Sequence, residues 1–344
     1  MIIELPPQAR IAIFPSPTFD TVPPTLRHGD RIPADIRAAM APAWQHGPFA
    51  ARTITVYRIP DVTIVQHGLV FDADQRLFRG SITQHGDAEM RAARGELAGA
   101  PHVPGTAVLC KKPGAGNYGH WMLEMLPRAY VVHHLMGLRD VRYLVHAAEE
   151  PLRQVMLDGF ELLGIPPDAV IFSAPAPLHF ASLILVDGLA DHGGYLSPVT
   201  LAAVDALSKS IAPENAAPVY VSRRGRSFHN DRTVEAVARA EGWRVVAPET
   251  LALREQIAVF KHAPAIAGVM GAGLTNIAFA APGTRVTCFA PANMPDVFFW
   301  FIANLRGLPY EEVRCMLHDD RVLGMPYDRS IALPMAEILK VFER

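Results

Sequence analysis

The stretch that most constrains the fold is residues 263–291, which read as a strand, a glycine turn, a helix and a second strand. Ala265 to Val269 form an apolar run that is too short for a helix. Gly271 and Gly273 then permit a sharp turn and a close approach of the backbone to a ligand. The helix that follows would present unpaired N–H groups and a positive dipole end, which suits a phosphate. An ordinary turn that needs glycine for geometry alone is the alternative.

Regular alternation of helices and strands begins near Pro198 and leads into this stretch. The predicted elements are 198–211, 218–222, 231–241, 243–247 and 253–262. Such alternation is typical of a parallel sheet with helices on both faces, in which ligands bind at the carboxyl ends of the strands. The sequence therefore predicts the α/β class.

The length of 344 residues predicts about two domains. We place an N-terminal, acceptor-side domain at 1–195, with an irregular, strand-rich start followed by α/β structure. Its proline-rich first 50 residues are expected to wrap over that domain. A Rossmann-like domain follows at 196–325, and a C-terminal helix within 326–344 is expected to pack back on the first domain.

The composition argues against several classes of protein. A formal net charge of −2 gives no reason to expect a nucleic-acid partner. The sequence has neither a signal-peptide pattern nor an apolar run of the roughly 18–20 residues that cross a bilayer. Three cysteines without C-x-x-C spacing indicate reduced core residues. We expect a cytoplasmic protein without a transmembrane segment, and leave peripheral membrane contact and oligomer formation open.

Two sequence patterns could indicate a metal site, but we do not favour that interpretation for either of them. Asp72-Ala73-Asp74 has the D-x-D form of some divalent-cation sites, but aspartates also favour the hairpin turn predicted there. The fourteen histidines include no H-E-x-x-H or H-x-H spacing. We therefore expect no metal ion and no cofactor to be tightly bound.

A polar stripe is the first candidate for chemistry. Four residues spaced i, i+3, i+7 and i+11 share one face of a predicted, otherwise apolar helix: Asn117, His120, Glu124 and Arg128. A carboxylate beside a histidine can accept a proton from a substrate hydroxyl. A buried network of satisfied hydrogen bonds is the alternative.

The loop before this helix, Gly114 to Gly119, matches the G-x-G-x-x-G pattern of dinucleotide-binding folds. An NAD(P)-dependent oxidoreductase is therefore an alternative function. Two features count against it: Lys111-Lys112-Pro113 separates the loop from its strand, and no acidic residue ends the next strand.

Polar residues directly after predicted strands form the remaining candidates. Arginine side chains at the carboxyl edge of a sheet match phosphate geometry. After the predicted strand 218–222 the candidate arginines are Arg223, Arg224 and Arg226, and Asn230 follows them. Glu249, after the next strand, can accept hydrogen bonds from ribose hydroxyls, and Gln256 lies seven positions further on. Solvated surface charge and an acidic residue at a helix start are the alternatives.

These segments together resemble four motifs of glycosyltransferase family 61. Asn117 to Arg128 resembles N-Y-x-H-W-x-x-[DE]-x-L-P-R, and Ser222-Arg223 with Arg226 and Asn230 resembles S-R-x(n)-R-x-x-x-N. Pro248-Glu249 with Gln256-Ile257 fits P-E…E-Q-I, and Gly271 to Asn276 fits G-A-G-L-T-N. The sequence departs from the family at Met270, where a histidine is usual.

The resemblance implies a GT-B architecture, with two Rossmann-like domains, an interdomain cleft and the donor in the second domain. It also implies an inverting, metal-independent transfer from a UDP- or GDP-sugar to a hydroxyl of a glycan or lipid-linked glycan, in surface-polysaccharide synthesis. Glu124 is the favoured base, with His120 orienting it or the acceptor and Asn117 beside them. The implied donor-binding residues are Arg223, Arg226, Asn230, Glu249, Gln256, Gly271, Ala272, Gly273, Leu274, Thr275 and Asn276. A non-catalytic nucleotide-sugar-binding protein is the remaining alternative.

Overall fold

The computed structural model describes residues 1–44, 47–191, 193–214, 216–223, 227–318 and 329–343. The chain divides into two compact units. The first comprises Met1–Pro17, Ala50–His192 and Ser197–Leu207, and the second Thr18–Phe49, Gly193–Leu196 and Ser208–Arg344. Both units combine sheets with helices, so the predicted α/β class is confirmed.

The described strands are β1 Ile2–Ile3, β2 Arg10–Ser16, β3 Phe19–Thr21, β4 Thr25–Arg27, β5 Gly47–Phe49, β6 Arg52–Val65, β7 Leu69–Asp72, β8 Leu77–Phe78, β9 His102–Cys110, β10 Arg142–His146, β11 Val170–Ser173, β12 Leu178–Asp187, β13 Ala190–Asp191, β14 Tyr195–Leu196, β15 Val219–Val221, β16 Arg244–Val246, β17 Ala265–Val269, β18 Arg285–Pro291, β19 Tyr310–Leu317 and β20 Ile331–Ala332. The α-helices are α1 Ala34–Met40, α2 Asp87–Gly95, α3 Tyr118–His120, α4 Leu126–Tyr130, α5 Leu152–Leu162, α6 Pro198–Ser208, α7 Asp231–Ala240, α8 Leu253–Phe260, α9 Phe298–Arg306 and α10 Met335–Phe342. Shorter 3₁₀ segments include Arg79–Ser81, Pro248–Thr250 and Ala272–Phe279.

The first unit is built on one large sheet with strand order β1-β8-β7-β6-β12-β9-β10-β11, with β2 paired to β6. Strands β12, β9, β10 and β11 run parallel, whereas β6, β7 and β8 form an antiparallel meander. Helical crossovers join β9 to β10 and β10 to β11, as parallel neighbours require. The carboxyl ends of these three strands, at Cys110, His146 and Ser173, therefore lie along one edge of the sheet.

The second unit contains a parallel sheet with the order β16-β15-β17-β18-β19, extended by β20 and with β4 also on β19. The predicted strands at 218–222, 243–247 and 265–269 are confirmed within a residue or two. The chain leaves β15 towards β16 on one side of the sheet, whereas it leaves the neighbouring strand β17 towards β18 on the other side. This reversal is a topological switch point, where open α/β sheets bind ligands beyond the carboxyl ends of the strands.

Residues 18–49 belong to the second unit, although the sequence analysis expects them to cover the first. Strand β4 pairs in parallel with β19, whose edge would otherwise leave backbone N–H and C=O groups unpaired. The Trp300 Nε1–H donates to the Val22 carbonyl at 2.7 Å, and Phe49 packs edge-to-face on Phe301. Val22 and Phe49 thus hold this segment against the aromatic residues of α9.

Helix α10 also belongs to the second unit, although the sequence analysis expects it to pack on the first domain. Its buried residues, Ile338, Val341 and Phe342, follow the spacing of one helical face. The ring of Phe342 packs edge-to-face on Tyr220, and the Trp243 Nε1–H donates to the Phe342 carbonyl at 2.9 Å. These contacts bury the apolar face of α10 beside β15 and α7.

The D-x-D segment forms the predicted turn, between β7 and β8. Both carboxylates pair with Arg76, that of Asp72 at 2.7 Å and that of Asp74 at 3.0 Å. None of the helices in the described ranges is both long and apolar enough to span a membrane.

Candidate active site

Asn117 caps the helical segment that carries the polar stripe. Its Oδ1 accepts a hydrogen bond from the Gly119 N–H at 2.9 Å, which satisfies one of the unpaired donors at the helix start. This bond fixes where the helix begins, three residues before His120. The structure thus gives Asn117 a definite positioning role beside the predicted catalytic residues.

The helix is widened where the stripe crosses it. Trp121–Met125 and Val131–Leu135 are π-helical, and the Leu126 N–H donates to the Trp121 carbonyl five residues earlier. Pro127 has no N–H and cannot complete an α-helical ladder, which favours a changed bonding pattern in the preceding turn. Such π segments frequently occur at functional sites.

Glu124 lies in this widened turn at the centre of a compact polar cluster. Its side chain is 5% exposed, with Oε1 2.6 Å from His120 Nδ1 and Oε2 2.5 Å from Lys112 Nζ. The His120 side chain is 23% exposed. Both Glu124 oxygens are engaged, and His120 has the most exposed side chain of the three residues.

Lys112 is the member of the cluster that the sequence analysis misses. It follows the carboxyl end of β9 and is 2% exposed. Burial lowers the pKa of its ammonium, and the adjacent Glu124 carboxylate opposes that shift. The available signal was a lysine directly beyond an apolar strand, at the edge where functional groups of parallel sheets collect.

The side chain of Arg128, the last residue of the predicted stripe, extends towards β9. Its Nη1 donates to the Leu109 carbonyl at 3.2 Å. Burial lowers the pKa of its guanidinium, while neighbouring groups that include Asp187 and Glu124 oppose the shift. Arg128 thus ties the helix to the sheet and adds positive charge near Glu124.

The glycines of the Gly114–Gly119 loop accommodate two imidazole rings. Gly114 has a φ of +77°, and a Cβ there would lie 3.1 Å from the His120 ring. A Cβ at Gly116 would lie 3.1 Å from the ring of His146 at the end of β10. Close packing against histidine therefore accounts for glycine at both positions, without a bound dinucleotide.

The second predicted site lies at the switch point between β15 and β17. Arg223 follows β15, and its Nη1 donates to the Met270 carbonyl, directly after β17, at 2.7 Å. Ser222 is held by bonds from its N–H to the Val246 carbonyl and from its hydroxyl to Glu235. Arg224 and Arg226 lie outside the described residues.

Gly271 and Gly273 serve close packing and not a left-handed turn. Gly271 has an extended φ of 164°, and a Cβ on it would lie 2.5 Å from Arg223 Nη1. A Cβ at Gly273 would lie 3.3 Å from the side chains of Pro248 and Val221. The backbone at Gly271 thus lies close to the Arg223 side chain. The sequence analysis expected this close approach to be made to a ligand. The following segment, Ala272–Phe279, is a 3₁₀ helix and not the ordinary helix predicted.

Gln256 and Asn276 bind each other in the interior. Asn276 Nδ2 donates to Gln256 Oε1 at 2.9 Å and to the Gly273 carbonyl at 3.0 Å, while Gln256 Nε2 donates to the Leu251 carbonyl. Both side chains are buried. The structure therefore gives these two predicted donor ligands a role in joining the glycine turn to α8.

The other predicted donor residues are distributed around the same edge. Leu274 and Thr275 are buried in the 3₁₀ segment, and Ala272 at its start is partly exposed. Asn230 is the N-cap residue of α7, and Glu249 is exposed in the 3₁₀ turn after β16. Of this group, Glu249 has the most accessible side chain.

The sequence model of the family described as Glycosyltransferase 61 matches residues 118–287, which include the polar helix and the switch-point corner. The chain belongs to glycosyltransferase family 61. It is therefore an enzyme of the glycosyltransferase class, as the sequence analysis predicts. The family match gives no support to the oxidoreductase alternative. No curated protein matches the chain.

The described part of this glycosyltransferase contains no group of three or more histidine, cysteine, aspartate or glutamate side chains arranged to hold a metal ion. Its three cysteines, Cys110, Cys288 and Cys315, are buried and unbridged.

Replacing Asn276 or Gln256 with alanine is expected to lower the free energy of unfolding of this glycosyltransferase by about 1–3 kcal/mol, because each change leaves buried polar groups unpaired. The double variant should lower the free energy of unfolding by less than the sum of the two single changes, because the two side chains share one hydrogen bond. Urea unfolding measures all three. Arg232→Ala, on the exposed face of α7, is the control, with an expected change within about 0.5 kcal/mol. Additive costs would contradict the coupling.

Proposed function

We propose that this enzyme catalyses an inverting, metal-independent transfer of a sugar from a UDP- or GDP-sugar to a hydroxyl of a glycan or lipid-linked glycan acceptor. The observation that carries the proposal is the His120–Glu124 pair, with a bond of 2.6 Å between Nδ1 and Oε1. A histidine held by a carboxylate at one nitrogen can take a proton at the other. The family membership supports the sugar-transfer chemistry.

His120 is the proposed general base, and Glu124 the residue that positions it. This reverses the division of roles favoured in the sequence analysis, because Glu124 already has one oxygen on His120 and one on Lys112. The acceptor hydroxyl gives its proton to His120 Nε2, and its oxygen forms a bond to the anomeric carbon. Glu124 then stabilises the imidazolium that results.

The leaving group is the nucleoside diphosphate, which departs with the electron pair of the broken bond from the anomeric carbon to the phosphate oxygen. Attack from the face opposite this bond inverts the anomeric centre. In the proposal, the Arg223 guanidinium and the peptide N–H groups after Gly271 meet the charge that develops on the diphosphate. Their location at a switch point supports this role.

The GT-B arrangement, with the base in the first unit and the donor in the second, is part of the proposal and derives from the family resemblance. The same resemblance supports a cytoplasmic enzyme of surface-polysaccharide synthesis, with no tightly bound cofactor. Met270 replaces the histidine usual before the glycine turn, and it is buried beside the Arg223 contact. The proposal therefore assigns the phosphate contact to Arg223 and not to residue 270.

The test combines a panel of UDP- and GDP-sugars with methyl glycosides of common hexoses and pentoses. We expect one donor to release its nucleoside diphosphate only when an acceptor glycoside is present. The coupling constant of the anomeric proton should show a product of inverted configuration, and excess EDTA should leave the rate unchanged.

Each part of the proposal has its own contradicting outcome in this experiment. A retained configuration would exclude the single displacement, and loss of activity in EDTA would exclude a metal-independent mechanism. Tight donor binding without release of nucleotide for any glycoside or lipid-linked acceptor would favour a non-catalytic binding protein.

A further inference from the structure

Two adjacent lysines beyond β9 are both buried, which is rare for lysine unless it is paired. Lys111 Nζ donates to the Ser173 carbonyl, the Ser173 hydroxyl and the Ala174 carbonyl at 3.1, 2.8 and 2.7 Å. Lys112 Nζ contacts Glu124 Oε2 at 2.5 Å and also donates to Gln84 Oε1. Lys111 thus joins two strand ends, whereas Lys112 joins the strand to the predicted catalytic pair.

We propose that Lys112 is a positioning residue that fixes the protonation of the His120–Glu124 pair. Its ammonium keeps Glu124 as a carboxylate and holds the carboxylate with its other oxygen towards His120 Nδ1. The inference rests on the proposed function of His120 as the base. Lys112 precedes the matched family segment, which begins at residue 118.

The charge of Lys112 matters because Glu124 is almost fully enclosed. Burial alone favours a neutral carboxylic acid, and a neighbouring cation favours the carboxylate. An ionised carboxylate can only accept a hydrogen bond, so a neutral His120 ring must carry its hydrogen on Nδ1. The other ring nitrogen, Nε2, is then able to take a proton. A protonated Glu124 would instead donate to Nδ1 and place the imidazole hydrogen on Nε2. That tautomer cannot accept the proton of an acceptor hydroxyl.

The groups around the cluster favour the carboxylate. Lys112 approaches Glu124 from the β9 side, and Arg128 contributes a second positive charge from the same helix as Glu124. Gln84, the other partner of Lys112, is uncharged. Asp187 acts on Arg128 from β12. Among the residues that the structure describes, Lys112 brings its ammonium into direct contact with the Glu124 carboxylate, at 2.5 Å. We therefore expect Lys112 to influence the ionisation of Glu124 more than the other described cations do.

The variant Lys112→Gln removes the charge and retains an amide that can still bind Glu124 and Gln84. Nitrogen NMR of histidine-labelled protein reports which ring nitrogen of His120 carries the hydrogen, and His120→Asn assigns the signal. We expect Nδ1–H in the wild type and a shift towards Nε2–H in Lys112→Gln. The rate of transfer should fall by about 10- to 100-fold, as for loss of one charge-assisted hydrogen bond, with an unchanged KM for the donor.

Lys111→Gln is the matched control, because it removes an equally buried ammonium from the neighbouring position. It should leave the His120 tautomer and the transfer rate within about twofold of the wild type, since its bonds go to Ser173 and Ala174. Lys112→Arg retains the charge and should keep the Nδ1–H tautomer and most of the activity.

An unaltered His120 tautomer in Lys112→Gln would overturn the inference, as would an equal loss of activity in Lys111→Gln. If Lys112→Gln fails to fold, Lys112→Arg decides: the Nδ1–H tautomer supports the inference, and the Nε2–H tautomer overturns it. The NMR measurement uses the resting protein and needs no substrate. Failure of the proposed function, seen as full turnover in His120→Asn, is therefore distinguishable from failure of this inference.

Discussion

Replacing Glu124 with glutamine is expected to slow sugar transfer by about 10²–10⁴-fold, the range for loss of assisted proton transfer, while nucleotide binding is retained. Glutamine has the same shape but lacks the charge that holds the His120 Nδ1–H and stabilises the imidazolium. His120→Asn should cause a loss of similar size. Initial rates of nucleoside diphosphate release and calorimetric titration with UDP or GDP measure the two effects separately.

The double variant His120→Asn/Glu124→Gln should be little slower than the slower single variant, because the two residues act as a unit. Glu161→Gln, an exposed carboxylate on α5 in the same unit, controls for loss of charge alone and should retain wild-type rates. Turnover of Glu124→Gln close to that of the wild type would refute the role of the pair.

Replacing Arg223 with alanine is expected to weaken binding of the donor nucleotide by roughly 10- to 100-fold, since hydrogen bonds to a charged phosphate contribute about 1.5–3 kcal/mol. Arg223→Lys should recover only part of the affinity, because an ammonium cannot form the paired contacts of a guanidinium. Calorimetric titration with UDP and GDP measures the affinity. Arg254→Ala, on the exposed side of α8, is the control, and an unchanged affinity in Arg223→Ala would contradict the assignment.

Gly271→Ala tests the position of the guanidinium without removing it. The added Cβ would lie 2.5 Å from Arg223 Nη1, so the side chain must move. Because the end of an arginine side chain is flexible, the fold should persist while donor affinity falls as in Arg223→Ala. Wild-type affinity in Gly271→Ala would show that the observed position of Arg223 is not the one that binds phosphate.

The local elements of the second unit could be predicted because periodicity and turn residues agree there. Ala265–Val269 is a strand buried along its whole length, as an apolar run bounded by Pro264 and Gly271 predicts. Motifs after β15 and β17 correctly indicated the edge where Arg223 and Met270 meet. That agreement follows from parallel strands, whose carboxyl ends necessarily lie on one side of the sheet.

The details of the candidate site depend on contacts that sequence spacing does not contain. A regular helix places Asn117, His120, Glu124 and Arg128 in one row, but the π segment at Trp121–Met125 and the cap at Asn117 give them different partners. Lys112 reaches Glu124 from a separate strand. The glycines at 271 and 273 are also required by packing and not by turn geometry, which their identity alone cannot distinguish.

The second unit is built from separate segments of the chain, which affects how this half of the enzyme can be engineered. A fragment or chimera cut near residue 196, where the alternating pattern begins, would lose β4 from the edge of β19 and the carbonyl of Val22 from Trp300. Exchange of this half between relatives therefore requires residues 18–49 and 193–196 to be transplanted together with residues 208–344.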